Sequence, residues 1–565
     1  MHLVITMSEN NIISLDKPFD EIPNISMGEL ISKALNKLDE KFVCAFDANT
    51  GKTLTVKELI EKSTAIAMAL IEKGINKTDL ILTFAENSIE LTVVLFASVL
   101  LGVTIYPITS IAKAYELEKL FETLDSIVVF TSESKSNIIS KILTNTALKA
   151  NVKSVFVVNG VFDNNITFNE LLKEGFNKSL PQIPYFAVED PKTTIFAILQ
   201  SSGTTGVPKS TLISHYAFVA QLYSMINSGM NFDEFDERLK FGHITPIGCI
   251  TGLTFLYGYI CCGVSVVMFK EYNEELSLMR GLSLDTSLLS VSIEKYKINF
   301  MLIVPALGPV LVSSLADKYD LSSLAFIYTG GAHFPEAYAR AIIKKYNVIF
   351  QEVYGMTEYS GTLTHVPDLE VCSEYIAGNL GRPAKNTQIK IRDVTTGASL
   401  GPDIDGEICV RGPKLFSGYL NNSLATSEAI DSEGWLRTGD IGHYDHKNRV
   451  FITDRLKELI KFGTKQVSPT EIELFLMTHK CVAAVAVVGV KHETQSQWVR
   501  AYVKVKDGMS VTEDELKQYV SDNLNDAKQL RAGVVFVDHI PRTTVGKVDR
   551  RYFKQLIANE LIKNV

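Results

Sequence analysis

The strongest chemical signal in the chain is the run Ser201-Ser202-Gly203-Thr204-Thr205-Gly206-Val207-Pro208-Lys209. Its glycines let backbone amides approach an anion, its hydroxyl side chains add donors, and its lysine adds charge, so the loop suits a phosphate group. It is not a Walker loop, which needs four residues between its glycines and a terminal Gly-Lys-Ser/Thr. A flexible linker would explain the Gly, Ser and Thr but not the placed Pro208 and Lys209. The cysteines offer no rival chemistry: there are 7, sparse and never spaced as CxxC, which argues against a zinc knuckle and suits a reducing compartment.

Alternating elements must hold this loop. It follows the apolar segment TIFAILQ, and similar segments recur at Leu80 to Phe84, Leu91 to Leu101, Ile127 to Phe130, Val155 to Val158 and Phe300 to Val304. Between them lie helical patterns, such as Thr55 to Lys73, where apolar residues recur at helical spacing and Gly74 ends the run. Strands alternating with helices predict α/β layers with largely parallel sheets buried on both faces. After Gly434 the chain becomes turn-rich, with a hairpin expected at His446-Lys447-Asn448. Beyond it come a helix from Pro469 to Thr478, a strand pair at AAVAVVGV and RAYVKVK, a helix from Glu513 to Asn523 and a strand GVVFVDHI. This is a compact α+β unit of roughly 110 residues, of ordinary domain size. The boundary is placed at Asp454 to Lys457, giving units of 1–454 and 455–565.

Composition narrows the function classes. The 565 residues are 46% hydrophobic and 21% charged, which excludes bulk disorder. A net charge of -8 without a long basic run argues against nucleic acid as a partner. From Phe241 to Phe269 there is no Asp, Glu, Lys or Arg, a length that could cross a bilayer. Its glycines, Pro246 and the β-branched VSVVMF instead predict a buried loop, helix and strand, so any membrane association is peripheral at most. The N-terminus does not read as a signal peptide, and the C-terminus, Lys563-Asn564-Val565, is not a peroxisomal SKL-type address. The expected location is cytoplasmic, as a monomer or homodimer.

The loop SSGTTGVPK resembles the signature of the adenylate-forming superfamily, which holds acyl-CoA synthetases, coumarate-CoA ligases, beetle luciferases and peptide-synthetase adenylation domains. Further elements stand in that family's order: Tyr328-Thr329-Gly330-Gly331-Ala332, Tyr354-Gly355-Met356-Thr357-Glu358, Gly434 to Asp440 (GWLRTGD), Asp454 to Lys461 (DRLKELIK) and Pro541 to Lys547 (PRTTVGK). The resemblance spans about Lys52 to Leu561, and EKYKINFMLIVP, GEICVRGPKLFSGYLNN and KQLRAGVVFVDHIPR look like the insect luciferase-like branch. It implies a large N-terminal domain of layered α/β sheets plus a β-rich subdomain, with a small mobile C-terminal α+β domain.

The resemblance also implies an activity. A carboxylate attacks the α-phosphorus of ATP, pyrophosphate leaves, and the thiol of CoA displaces AMP from the acyl adenylate. Ser201 to Gly206 and Lys209 would hold ATP, with Thr204, Thr205 and Lys209 on the β- and γ-phosphates and Thr357 on the α-phosphate. Glu358 would hold Mg²⁺, a hard cation. Gly331, Ala332 and Tyr354 would shape the adenine slot, with Gly330 and Gly355 also among the ATP-binding residues, Asp440 would accept from both ribose hydroxyls, and Arg455 would lie close by. Lys547 would bridge the substrate carboxylate and the α-phosphate, Lys457 would be the hinge, and Lys461, Gly463, Thr464 and Gln466 would line the CoA tunnel.

Several positions depart from the family pattern. Where the branch places an aromatic and a histidine after Pro246, this chain has Ile247, Gly248 and Cys249; small residues there are expected to open the acyl pocket floor to a longer or bulkier group, with Gly248, Cys249 and Thr251 as acyl-pocket residues. The position of the luciferase arginine near luciferin falls at Gln221, which disfavours light emission. In Lys461-Phe462-Gly463-Thr464-Lys465-Gln466-Val467 the glycine stands one place early, and Thr464 could obstruct the thiol. Ser210 follows the signature lysine and Glu352-Val353 precede Tyr354, both ordinary variation. The expected activity is ligation of a medium or long fatty acid or an arylalkanoic acid to CoA. The alternatives are transfer to a carrier thiol or amine, a luciferase, and a catalytically silent acyl or nucleotide binding protein.

Overall fold

The computed structural model describes residues 6–7, 11–15, 21–110, 112, 114–177, 188–201, 209–226, 239–270, 286–365, 375–462, 465–492, 496–542 and 548–563. Two large sheets carry most of the first 365 residues. One has eight strands in the order Gly418–Tyr419, Lys209–Ser214, Ile195–Ser201, Thr104–Ile108, Leu80–Phe84, Ile127–Thr131, Val152–Val157 and Ile166–Thr167. It is parallel from Ile195–Ser201 outward and antiparallel at its other end. The other has seven strands, of which Ile349–Val353, Phe326–Gly330, Phe300–Ile303, Lys240–His243, Ser265–Met268 and Val43–Asp47 run parallel.

Helices packed between these sheets make the main core. Val56–Glu72 begins at Thr55, whose hydroxyl accepts from Glu58 N while the Glu58 carboxylate accepts from Thr55 N, a reciprocal cap. Ile89–Leu101 is buried on every side except at Glu90, starts at the Ser88 cap and stops at Gly102, φ 65. A helix apolar all round fits such an interior position. The uncharged stretch resolves into the strand Lys240–His243, a loop, the helix Ile250–Cys261 and the strand Ser265–Met268, as its composition predicts. Among the described residues no helix is long and apolar enough to cross a membrane.

A third sheet is antiparallel and β-rich, and holds Gln388–Arg392, Gly406–Arg411, Leu436–Tyr444 and Val450–Arg455. The turn between its last two strands contains Asn448 at φ 57, the left-handed conformation expected there. A short hairpin, Gly355–Met356 with Gly361–Thr362, leads from the parallel seven-stranded sheet toward this one. The chain then changes sheet between Arg455 and Ile460. The final unit is a five-stranded sheet built on the long hairpin Val482–His492 with Ser496–Val505, covered by Pro469–Met477, Glu513–Asn523 and Arg550–Lys563. The strand expected at GVVFVDHI is shorter than its apolar run, Val534–Phe536, and lies at the sheet's edge with Phe536 exposed.

Candidate active site

Strand ends from all three sheets of the large unit converge on Tyr354, Asp440 and Glu358. Tyr354 follows the strand Ile349–Val353, while Asp440 and Arg455 are cross-strand partners in the β-rich sheet. The Tyr354 hydroxyl donates to Asp440 Oδ2 at 2.6 Å, and Arg455 Nε lies 2.8 Å from Oδ1. Asp440 N in turn donates to Thr438 Oγ1 at 3.1 Å. Burial, then the adjacent Asp440 charge, pushes the Tyr354 phenol well up, so it stays a donor; the same charge raises Arg455. Both oxygens of Asp440 thus have a protein partner already. A carboxylate has about four lone-pair sites, so each can accept one further bond.

Glu358 lies in a single helical turn, Thr357–Tyr359, directly after Gly355–Met356. Its Oε1 accepts from the Tyr419 hydroxyl at 2.9 Å, and among the described residues Oε2 takes no hydrogen bond. Burial first, then the Glu358 charge, pushes the Tyr419 phenol upward. The Lys209 ammonium sits 4.6 Å from the centre of the Tyr419 ring, and Thr211 pairs with Tyr419 across adjacent strands. Ser201 and Lys209 are themselves cross-strand partners, so both ends of the signature loop are pinned at the adjoining ends of two neighbouring strands. Ser202 to Pro208 lie outside the described residues. Among the described residues no group of three His, Cys, Asp or Glu could hold a metal ion. One carboxylate with an available oxygen fits Mg²⁺, which is commonly held by one or two carboxylates and substrate phosphates.

Beside these lies the glycine pair. Gly331 has φ +81 and nothing within 4 Å of where a Cβ would be, while a Cβ on Gly330 would stand 3.1 Å from Val353 O. The backbone here is bare on the Ala332 side and closely packed on the other. Buried Glu352 fastens the surroundings, accepting from Tyr375 OH at 3.1 Å and Gly378 N at 3.2 Å.

The acyl-side positions differ from expectation. A Cβ on Gly248 would stand 2.4 Å from Thr109 N and 2.5 Å from Ile108 C, so the space released by the missing side chain is filled by neighbouring backbone and opens no floor. Cys249 caps the helix Ile250–Cys261: its thiol donates to Pro246 O at 3.0 Å and its sulfur accepts from Gly252 N at 3.4 Å. Thr251, half-buried, is in the first turn of that helix. Asn87 holds the preceding loop, donating to Thr245 O at 3.0 Å and accepting from Ile247 N at 3.0 Å. Gln221 is not directed at an open space either, since its amide is bonded at both ends to Thr362, at 3.1 and 3.2 Å.

Lys457 stands in the turn between the last strand of the β-rich sheet and the first of the small unit, where Leu456 N donates to Gly439 O and Glu458 N to Arg455 O, both at 2.9 Å. The Asp454 carboxylate accepts from Ser468 Oγ and, at 3.0 Å, from Thr470 N, at the start of the helix Pro469–Met477. Lys461 N donates to Gln497 Oε1 at 2.8 Å, and Lys461 pairs with Gln466 across strands. Gly463, Thr464 and Lys547 lie outside the described residues. Two participants escaped the sequence reading. Nothing in the spacing of FSGYLNN ties Tyr419 to Glu358, and no local rule pairs Asp454 with Ser468.

The family described as AMP-binding enzyme matches residues 32–420, and its C-terminal domain matches 471–547. The chain is 30% identical to a luciferin 4-monooxygenase of Nipponoluciola cruciata, over 98% of this chain and 99% of that one. It is also 30% identical to 4-coumarate-CoA ligase 1 of Narcissus pseudonarcissus, over 92% of this chain and 91% of that one. Among solved structures, ATP-bound MatB from Rhodopseudomonas palustris shares the fold with a TM-score of 0.80 at 22% identity, covering 94% of this chain and 99% of that one.

Proposed function

This chain belongs to the family of AMP-binding enzymes, and from that premise we propose that it ligates a carboxylic acid to CoA through an acyl adenylate. The observation that carries this reading is the convergence of Tyr354, Asp440 and Arg455 with Glu358, Tyr419 and Lys209 at the sheet ends that bracket the signature loop. The acid is a medium or long fatty acid or an arylalkanoic acid, and the enzyme works in a reducing, cytoplasmic setting.

In this mechanism Lys209, Thr204 and Thr205 take the outer phosphates of ATP and Thr357 the α-phosphate. Gly331, Ala332 and Tyr354 flank the adenine, and Asp440, steadied by Tyr354 and Arg455, accepts from the ribose hydroxyls. Glu358 would hold Mg²⁺, which when bound would neutralise phosphate charge. Lys547 sets the substrate carboxylate against the α-phosphorus; a new O–P bond forms, the bond to the β-phosphate oxygen breaks, and pyrophosphate departs. Positioning and charge stabilisation supply most of such a rate. The unit 455–565 then turns about Lys457, bringing Lys461, Gly463, Thr464 and Gln466 to the CoA thiol. The sulfur bonds the acyl carbon, AMP leaves, and the thiol proton passes to solvent.

The test is a carboxylic-acid panel with ATP and Mg²⁺, read by pyrophosphate release with and without CoA and by mass spectrometry of the product. Lys547→Ala is expected to lower release by roughly 10²- to 10³-fold, the scale for losing one group that stabilises transition-state charge. Release within about twofold of wild type would remove Lys547 from the adenylation step. An acyl-CoA product supports the ligase; free acyl adenylate that reacts only with amines or a carrier thiol supports the alternative acceptor.

A further inference from the structure

Lys414 is a buried cation with no acid beside it among the described residues. Its side chain is 0% exposed, and its ammonium donates to Thr362 O at 2.8 Å and lies 5.1 Å from the centre of the Tyr359 ring. Tyr359 is the titratable group facing it, and that phenol donates to Arg411 O at 3.1 Å. Burial alone draws Lys414 down from 10.5 to about 7. Holding an ammonium in such a place costs stability, and an apolar side chain of equal length would avoid that cost.

What Lys414 grips explains why a lysine stands there. Thr362 has every polar group taken: its N donates to Gln221 Oε1 at 3.2 Å, its Oγ1 accepts from Gln221 Nε2 at 3.1 Å, and its carbonyl accepts from Lys414. The next layers are close-packed in the same direction. Gly361, at φ +130, would put a Cβ 3.0 Å from Gln221 Cδ, and a Cβ on Gly355 would stand 2.6 Å from Gly361 O. Gln221, Gly361 and Gly355 therefore form a stack without slack, and the chain between Gly355 and Gly361 is the turn that presents Thr357 and Glu358.

We propose that Lys414 is a positioning residue whose buried amine, with Gln221 on the opposite side, clamps Thr362 and so fixes the Gly355–Thr362 hairpin that presents Thr357 and Glu358. The catalytic part of this inference rests on the adenylation reading; the clamp itself does not.

Lys414→Met keeps the stem and removes the donor. In the full-length variant, amide hydrogen exchange across residues 355–364 rises by about tenfold or more while the rest of the chain exchanges as in wild type, and Tm is unchanged or higher. The kcat for pyrophosphate release falls about tenfold or more, the consequence of a misplaced group, with KM for ATP within about twofold. Exchange and kcat both unchanged would overturn the proposal. So would a lower Tm with faster exchange throughout, which is the signature of a structural role. If wild type itself releases no pyrophosphate with any acid, the adenylation reading fails, and the exchange and Tm comparison still decides the clamp.

Discussion

Tyr354 and Arg455 divide the two oxygens of Asp440 between them, so a ligand bound to that carboxylate meets an acceptor whose direction is already set. Tyr354→Phe removes one charged hydrogen bond, worth about 1.5–3 kcal/mol, and keeps the ring. KM for ATP is expected to rise roughly tenfold or more in steady-state pyrophosphate assays; an unchanged KM would separate Tyr354 from nucleotide binding. Lys414 gives a second prediction, on pH. Its folded value, about 7, lies below the unfolded value near 10.5, so between those limits the unfolded chain binds the extra proton and stability rises with pH. Below about 7 both states are charged and the cost is constant. The gain from Lys414→Met is therefore largest at pH 7 and below and shrinks toward 10.5, by about 1.4 kcal/mol per pH unit at most. Urea unfolding of both proteins across pH 6 to 10 checks this, and a pH-independent difference would contradict it. The sequence could not disclose this residue, because a lysine between Pro413 and Leu415 looks like any solvated loop cation until Tyr359 and Thr362 close over it.

At the scale of elements, periodicity was a good guide wherever burial is one-sided and a poor one for gaps. Val56–Glu72 and Glu513–Asn523 lie within a residue of where apolar spacing and caps put them. Gly248 was a different matter: a small residue in a motif reads as vacant space, yet only packing tells whether backbone fills it. Gly248→Ala would drive a methyl into Ile108 and Thr109 and is expected to cost about 1–3 kcal/mol, as overpacking does. A Tm equal to wild type, with better turnover of short acids, would restore the idea of an open floor. Asn87→Ala leaves Thr245 O and Ile247 N without their shared partner and is expected to loosen the same loop, again by about 1–3 kcal/mol.

For the whole molecule, the change of sheet between Arg455 and Ile460 falls where the turn-rich sequence after Gly434 gives way to a separate α+β pattern. The bonds across that change were not legible, since Asp454 and Ser468 are far enough apart in sequence that no local rule pairs them. Asp454→Asn weakens the hold on Ser468 and Thr470 and is expected to speed tryptic cleavage at Lys457 and Lys461 severalfold, with the unfolding temperature of the large unit unmoved. Cleavage at the wild-type rate would show that Asp454 does not hold the small unit.

Asp454 and Arg455 are consecutive on one strand, so their side chains leave it on opposite faces. One meets the helix of the small unit and the other meets Asp440. A ligand that tightens Arg455 against Asp440 therefore stiffens the same two peptide units that carry the grip on Ser468. The coupling obeys reciprocity: whatever factor the small unit's seating adds to nucleotide affinity, nucleotide must add to that seating. Saturating ATP should then protect Lys457 and Lys461 from trypsin by at least the factor by which Asp454→Asn weakens ATP binding, two measurements that bear on a single free energy.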